Sequence, residues 1–160
     1  MSRYISTLLR LPMSGKAIGI AAVAAVQLTG GSLAAADSMP NACPIDGCMV
    51  KIAGIEKAGD ELELTFEANF TPDVAKNHFH VWWGEQYTVQ QVGRNAKSAF
   101  GVEQGRWHRH DQYPKYVTTS AASTSVRNGA TTLCVTAADR DHNVLDATLY
   151  DCADASAYLN

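Results

Sequence analysis

Apolar and polar residues alternate strictly between Glu61 and Phe70. Every even-numbered position from Leu62 to Phe70 is apolar, and every odd-numbered position from Glu61 to Asn69 is polar. Successive side chains of a β-strand point to opposite faces, so this period of two predicts a strand with one buried and one solvated face. Such a half-buried strand is typical of an antiparallel sheet, and the alternation places Phe66 in the core.

A second, more apolar run has the sequence HFHVWW and extends from residue 78 to residue 83. Its length and its aromatic and β-branched residues predict another strand. Alternation gives this strand a core face formed by Phe79, Val81 and Trp83. The opposite face is predicted to be a surface that presents the imidazoles of His78 and His80 beside the indole of Trp82.

The remaining pattern predicts further strands over 49–56, within 116–126, over 131–138 and over 144–150. One short helix is predicted over 88–99, because Thr88 and Gln91 have capping-box spacing and apolar residues follow at helical intervals. Gly93 weakens that helix. Several short strands separated by turns predict an all-β fold, an antiparallel β-sandwich with one short helical insert.

The segment from Ala130 to Asp139, with the Asp-Asn turn and Val144 that follow, resembles the last hairpin of immunoglobulin-like and fibronectin type III domains. The tryptophan-bearing strand upstream is similar to their third strand. The resemblance implies an immunoglobulin-like sandwich and no particular function. The 61–70 strand has no cysteine, so the inter-sheet disulfide of that family to Cys134 cannot form.

The first 36 residues have the composition of a signal peptide. Three basic residues, Arg3, Arg10 and Lys16, come before an apolar run that ends near Leu28. An Ala-x-Ala pattern, typical of a cleavage site, follows just before Asp37. We predict cleavage after residue 36, and an uncleaved anchor is the alternative. Residues 37–160 then form a single domain that is secreted or periplasmic.

Removal of the three basic residues changes the formal net charge from −3 to −6. An acidic secreted domain is a poor candidate for binding nucleic acid or an anionic membrane. No later apolar stretch approaches the length that spans a bilayer. The expected partners are therefore proteins, peptides or glycans in the envelope or outside the cell.

Four cysteines, an even number, predict two disulfides in an oxidising compartment: Cys43, Cys48, Cys134 and Cys152. Sequential pairing has the shortest loops and an Asp-Gly turn in its favour. Hairpin geometry opposes it, because a turn centred on Asp141 would place residue 148, not Cys152, opposite Cys134. A bridge from the first two cysteines to Cys134 is the alternative.

Two His-x-His pairs, His78 with His80 and His108 with His110, are candidate metal ligands. Imidazoles two positions apart on a strand share one face, and two such pairs could complete four-coordination of copper or zinc. The alternative is that these histidines are hydrogen-bonded sheet residues. A calcium site is a further candidate, because the 139–146 turn has oxygen ligands at suitable spacing: Asp139, Asp141, Asn143 and Asp146. The same residue types favour an ordinary turn.

Three aromatic residues, Trp82, Trp107 and Tyr113, are candidates for a ligand-binding platform, or for packing over one end of the sheet. The sequence has no nucleophile motif, and disulfide-bonded cysteines provide no thiolate. The first expectation is therefore a non-catalytic binding domain. The alternative is a copper- or zinc-binding envelope protein, with a metal-dependent enzyme as one form of it.

Overall fold

A computed structural model describes residues 42 to 159, and the predicted signal peptide lies outside these residues. The strands are β1 Val50–Ala58, β2 Glu61–Ala68, β3 His78–Trp83, β4 His108–His110, β5 Lys115–Val117, β6 Thr132–Ala138 and β7 Tyr150–Asp154. Helix α1 spans Ala96–Phe100, and single 3₁₀ turns span Val89–Gln91, Ser120–Ala122, Thr124–Val126 and Ser156–Tyr158. Among these residues, no helix has the length and apolar character needed to cross a bilayer.

The strands form two antiparallel sheets. One has the order β1-β2-β5, and the other has the order β4-β3-β6-β7. Helix is almost absent. The prediction of an all-β fold is confirmed, and the two sheets are compatible with a β-sandwich.

The main core lies where the alternating faces of β2, β3 and β6 meet. Phe66 is only 1% exposed, so the register predicted for β2 is confirmed. Its ring packs 5.3 Å from that of Phe79, measured between centroids. The same cluster includes the predicted core face of β3 and the inward residues of β6: Phe79, Val81, Trp83, Leu133, Val135 and Ala137.

Strand β3 is buried on both faces, which differs from the exposed histidine and tryptophan surface expected from the sequence. The segment between β3 and β4 lies over the second face. There Val89 and Val92 form a second apolar cluster with Trp82 and with Val144 from the loop after β6. The insert thus turns a potential surface into a second, smaller core.

The predicted helix over 88–99 is interrupted. The capping interaction between Thr88 and Gln91 is present, with the Thr88 N–H donating to Oε1 at 3.0 Å. The helix is then interrupted at Gly93, where the backbone passes so close to Val144 that a Cβ would lie 2.9 Å from the Val144 backbone nitrogen. The Asn95 side chain accepts from the Val144 N–H and donates to its carbonyl, so this contact fastens the insert to the loop after β6.

The last hairpin joins β6 to β7 through a loop longer than predicted. Val144 makes only an isolated bridge with Ala138, and pairing resumes at Tyr150. A second turn at Asp146, whose carboxylate accepts from the Thr148 N–H, adds the extra residues. The first turn is centred on Asp141, since Ala138 lies opposite Val144, but the second turn displaces the returning strand, so residue 148 does not lie opposite Cys134.

The longer loop brings Cys134 directly opposite Cys152. These two residues form a disulfide, and Cys43 and Cys48 form the other. Sequential pairing, favoured from the sequence, is confirmed. Two disulfides indicate an oxidising location, either extracellular or periplasmic.

Candidate metal centre

Three buried histidines converge on the outer face of the four-stranded sheet. We call His78, His80 and His142 the three-histidine cluster; their exposed fractions are 0%, 0% and 6%. The Nε2 atom of His78 lies 3.2 Å from Nε2 of His80 and 3.0 Å from Nδ1 of His142. One ligand atom from each ring lies within 4.8 Å of the other two. In residues 42–159 this is the only such group of three or more His, Cys, Asp or Glu.

Strand pairing explains how His142 reaches the other two rings. Ala138, the last residue of β6, lies opposite His78, so the turn that follows β6 begins beside that histidine. The Asp139 carboxylate accepts the backbone N–H groups of residues 141 and 143 and shapes the turn. His142 has a φ of 66°, a left-handed conformation that is uncommon outside glycine. Its carbonyl accepts the N–H of Arg94, which ties the turn to the insert.

Backbone carbonyls set the tautomers of two rings. His80 Nδ1 lies 2.6 Å from the carbonyl oxygen of Val92, and His78 Nδ1 lies 3.4 Å from that of Lys76. A carbonyl oxygen can only accept, so each Nδ1 carries the hydrogen. In a neutral ring the other nitrogen is then an acceptor, so both Nε2 lone pairs point into the cluster.

Arg109 sets the tautomer of the third ring in the opposite way. Its Nη1 lies 2.8 Å from His142 Nε2. A guanidinium only donates, so this Nε2 accepts and the neutral ring carries its hydrogen on Nδ1. That N–H points towards His78 Nε2, 3.0 Å away.

The three inward ring nitrogens therefore have too few hydrogens to form hydrogen bonds with one another. Three nitrogens face one another, and a single N–H from His142 lies among them. The lone pairs of His78 Nε2 and His80 Nε2 face each other across 3.2 Å with no hydrogen between them. A cation placed among the three nitrogens would satisfy these lone pairs. Two nitrogens on a tetrahedral zinc ion lie about 3.3 Å apart, which is close to the spacing observed here.

Burial keeps these rings neutral. It lowers the pKa of His78 and the pKa of His142, and it lowers the pKa of His80 well below the ordinary value. The positive charges of Arg94 and Arg109 add to the effect at His142. Neutral imidazole is the form that binds a metal ion, and an added proton is disfavoured in this environment. The indole of Trp107 stacks on His80 at 5.0 Å and completes an apolar wall.

The second His-x-His pair lies on the other face of the sheet. We call His108 and His110 the inner histidine pair. In the register between β3 and β4, His110 lies opposite Phe79 and His108 opposite Val81, so both side chains share the main-core face. The structure does not bring this pair to the cluster, and the four-histidine arrangement expected from the sequence is not assembled.

His110 is packed rather than hydrogen-bonded. Its ring stacks on Tyr116 with centroids 3.8 Å apart, and it contacts Phe66 and Phe79. Neither ring nitrogen makes a hydrogen bond of ordinary geometry. Burial lowers the pKa of His110 to about 3, and the neighbouring backbone of Gln112 opposes that shift only in part.

The predicted calcium ligands are occupied by hydrogen bonds of their own turns. Asp139 binds two backbone N–H groups and the amide of Asn143, and Asp146 accepts from the N–H and hydroxyl of Thr148. Asp141 is exposed and lies beside Arg140. These side chains perform the turn-forming role given above as the alternative to calcium binding.

The three aromatic residues do not form one platform. Trp82 is 1% exposed and donates its indole N–H to the carbonyl of Tyr87, whereas Tyr113 is 44% exposed. Trp107 is half-buried against His80. The expectation of an exposed Trp82 is corrected because the insert covers its ring.

His142 is the functional candidate that sequence reasoning missed. It lies within the 139–146 turn considered above for calcium, and only the pairing of β3 with β6 brings that turn beside His78. Comparison with protein-family models, with curated protein sequences and with solved structures finds no significant match for this chain.

Proposed function

We propose that this protein binds one transition-metal ion, copper(II) or zinc, through Nε2 of His78, Nε2 of His80 and Nδ1 of His142. The observation that carries the proposal is the set of inward lone pairs that share a single hydrogen. Backbone carbonyls hold two of the rings in the coordinating tautomer. This is the outer-shell arrangement that orients histidine ligands in metal sites.

The donor set favours copper(II) or zinc over other ions. Imidazole nitrogen suits zinc and copper, whereas calcium prefers oxygen ligands. All four cysteines are in disulfides, so no thiolate is available for copper(I). Of the two candidates, copper(II) is expected to bind more tightly by the general order of divalent affinities.

Burial of the ligands supports binding without catalysis. Three histidines leave the fourth position of a tetrahedral ion without a protein ligand, so a catalytic role would depend on the access of water and substrate to that position. All three histidines are buried, and Trp107 stacks on one of them. We therefore propose a metal-binding protein of the envelope or the extracellular space, whose ion joins β3 to the turn after β6.

The scaffold is proposed to be immunoglobulin-like. In that fold the A, B and E strands form one sheet and the C, F and G strands form the other. The orders β1-β2-β5 and β4-β3-β6-β7 support this assignment, with β4 as an extra strand beside β3.

The first test is metal analysis of protein purified without an affinity tag. We expect about one copper or zinc ion per chain, and we expect His80→Ala to lose it. The matched control is His108→Ala, which removes a histidine of the same motif from the inner face and should keep the ion. Equal metal content in both variants, or none in the wild type after dialysis against either ion, would contradict the proposal.

A second variant separates ligand loss from misfolding. His142→Asn removes the ligand, and asparagine tolerates the left-handed backbone of this position. We expect native near-ultraviolet circular dichroism and no bound metal. Excess zinc should raise the melting temperature of the wild type and of His108→Ala, because a ligand that binds only the folded state stabilises it.

A second candidate function is the binding of a peptide, protein or glycan. A groove of about 510 Å³ beside the Cys134–Cys152 disulfide favours it, since Tyr87 and Tyr150 line the groove. A panel of oligosaccharides and peptides, tested by thermal shift against the wild type and Tyr150→Ala, would identify such a ligand. A shift that persists in Tyr150→Ala would exclude this groove.

A further inference from the structure

We propose that Arg109 is a latch that competes with the metal ion for His142, so that metal binding and release of the guanidinium are coupled. This inference rests on the metal site proposed above and concerns its regulation. It starts from two contacts of one ring: Nε2 of His142 accepts from Arg109 at 2.8 Å, and Nδ1 points towards His78 at 3.0 Å.

The two arrangements of His142 exclude each other. While Arg109 donates to Nε2, the neutral ring carries its hydrogen on Nδ1, where the metal would bind. Coordination through Nδ1 needs the lone pair there, so the hydrogen must be on Nε2. The ring stays neutral, because one proton leaves Nδ1 and one is taken up at Nε2. The new N–H then faces the guanidinium N–H, and two donors cannot share a hydrogen bond, so Arg109 must move away.

The surroundings of Arg109 allow this movement. The residue is exposed and lies in the middle of β4, a three-residue edge strand of its sheet. In the described part of the chain its side chain forms no salt bridge with a carboxylate. The hydrogen bond to His142 is thus the contact that holds the guanidinium over the cluster, and solvent can receive it when that bond breaks.

Simple charge repulsion is the competing explanation, and Arg94 provides a matched control for it. Arg94 also places a positive charge close enough to lower the pKa of His142. It contacts the histidine through its backbone N–H, which donates to the His142 carbonyl and is retained in Arg94→Gln. Arg109→Gln removes the same charge and the latch, and its side-chain oxygen can accept from an Nε2–H.

The first experiment measures the Zn²⁺ dissociation constant by competition with a chelating dye, for the wild type, Arg109→Gln and Arg94→Gln. We expect Arg109→Gln to bind Zn²⁺ about tenfold or more tightly, at low salt and at about 0.5 M salt. The gain in Arg94→Gln should be smaller and should fade as salt screens the charge. Equal gains in the two variants would overturn the latch.

The second experiment reads the tautomer of His142 directly by nitrogen NMR of ¹⁵N-histidine-labelled protein. Chelator-treated wild type should carry the hydrogen on Nδ1, and the zinc-loaded protein should carry it on Nε2. Chelator-treated Arg109→Gln should shift towards the Nε2–H form. An Nε2–H tautomer in the chelator-treated wild type would overturn the proposal.

The outcomes for the latch and for the metal site are distinguishable. Tight zinc binding by the wild type, with unchanged affinity in Arg109→Gln, overturns the latch alone. Binding that appears only in Arg109→Gln supports competition between Arg109 and the ion, and it overturns the proposed metal-binding function of the wild type. Absence of binding in both proteins, with correctly folded spectra, overturns the metal site and the latch together.

Discussion

The two His-x-His pairs share a sequence motif but lie in different environments. His78 and His80 lie on β3, and His108 and His110 lie on the neighbouring strand at the same level of the sheet. The first pair faces the insert, and its ring N–H groups donate to backbone carbonyl oxygens. The second pair faces the main core and packs against aromatic rings. One position along a strand therefore decides whether a histidine becomes a candidate ligand or a core residue.

The difference also concerns how each site is stabilised. A buried hydrogen-bonding atom without a partner costs about 1–3 kcal/mol. The three-histidine cluster avoids most of this penalty through its hydrogen bonds, whereas both ring nitrogens of His110 incur it. Stacking on Tyr116 offsets part of that cost for the inner pair. The inner pair should therefore influence stability, and the outer cluster should influence ligand binding.

The largest expected effect comes from Phe66→Ala, which empties the core beneath His110. We expect a loss of about 3–5 kcal/mol in the free energy of unfolding, because the buried ring leaves a cavity. Urea denaturation measures this loss. The affinity of the outer cluster for zinc should change by no more than about threefold. A collapse of zinc affinity in a variant that remains folded would show that the two faces are not independent.

A smaller effect is expected on acidification. The pKa of His110 is about 3 in the folded protein, below the ordinary value near 6.5, so the unfolded chain binds more protons between these limits. Its contribution to stability is complete above pH 6.5 and declines as the pH falls towards 3. Between pH 7 and pH 5 this group alone should remove about 2 kcal/mol.

The variant His110→Phe isolates that contribution, because the rings of the outer cluster also have lowered pKa values and remain in both proteins. Denaturant unfolding at pH 7, 6 and 5 should give a shallower decline for His110→Phe than for the wild type. Parallel curves would mean that His110 does not titrate in this range in either state.

The smallest effect is expected from His110→Phe at pH 7. Phenylalanine retains an aromatic ring beside Tyr116 and removes the two nitrogens without partners, so we expect a gain of about 1 kcal/mol. The melting temperature at pH 7 measures it. His78→Phe, the matched change on the outer face, should lower stability instead, since it removes a ring that is hydrogen-bonded. A gain in both variants would remove the contrast between the two faces.

Local periodicity was sufficient to predict the faces of the strands. The alternation around Phe66 and around Val81 identified the buried sides of β2 and β3, because each strand must place one set of side chains on the core. The same reasoning placed His78 and His80 on a common face. It did not show what covers that face, since the insert is positioned by Asn95 and Val144, which are 49 residues apart in sequence.

Features that depend on the pairing of distant segments could not be predicted from local periodicity. His142 joins the cluster only because β3 pairs with β6, a relation between segments that no single window of residues contains. The position of β7 depends on a second turn at Asp146, so symmetry about the first turn at Asp141 gave the wrong residue, 148, opposite Cys134. The opposite faces of the two His-x-His pairs depend on the register between β3 and β4, and β4 lies in a stretch without a strand pattern.

The Cys134–Cys152 disulfide has a consequence for the order in which the protein matures. The two cysteines are 18 positions apart, and the segment between them contains His142. Closing this covalent ring removes chain entropy from the unfolded state, by about 3 kcal/mol for a ring of this size in the chain-entropy model. A histidine within the closed ring reaches His78 and His80 at lower entropic cost than one on an open chain. For a chain that captures an ion as proposed, we therefore expect the ion to bind more readily after oxidation, in the compartment where the disulfide forms.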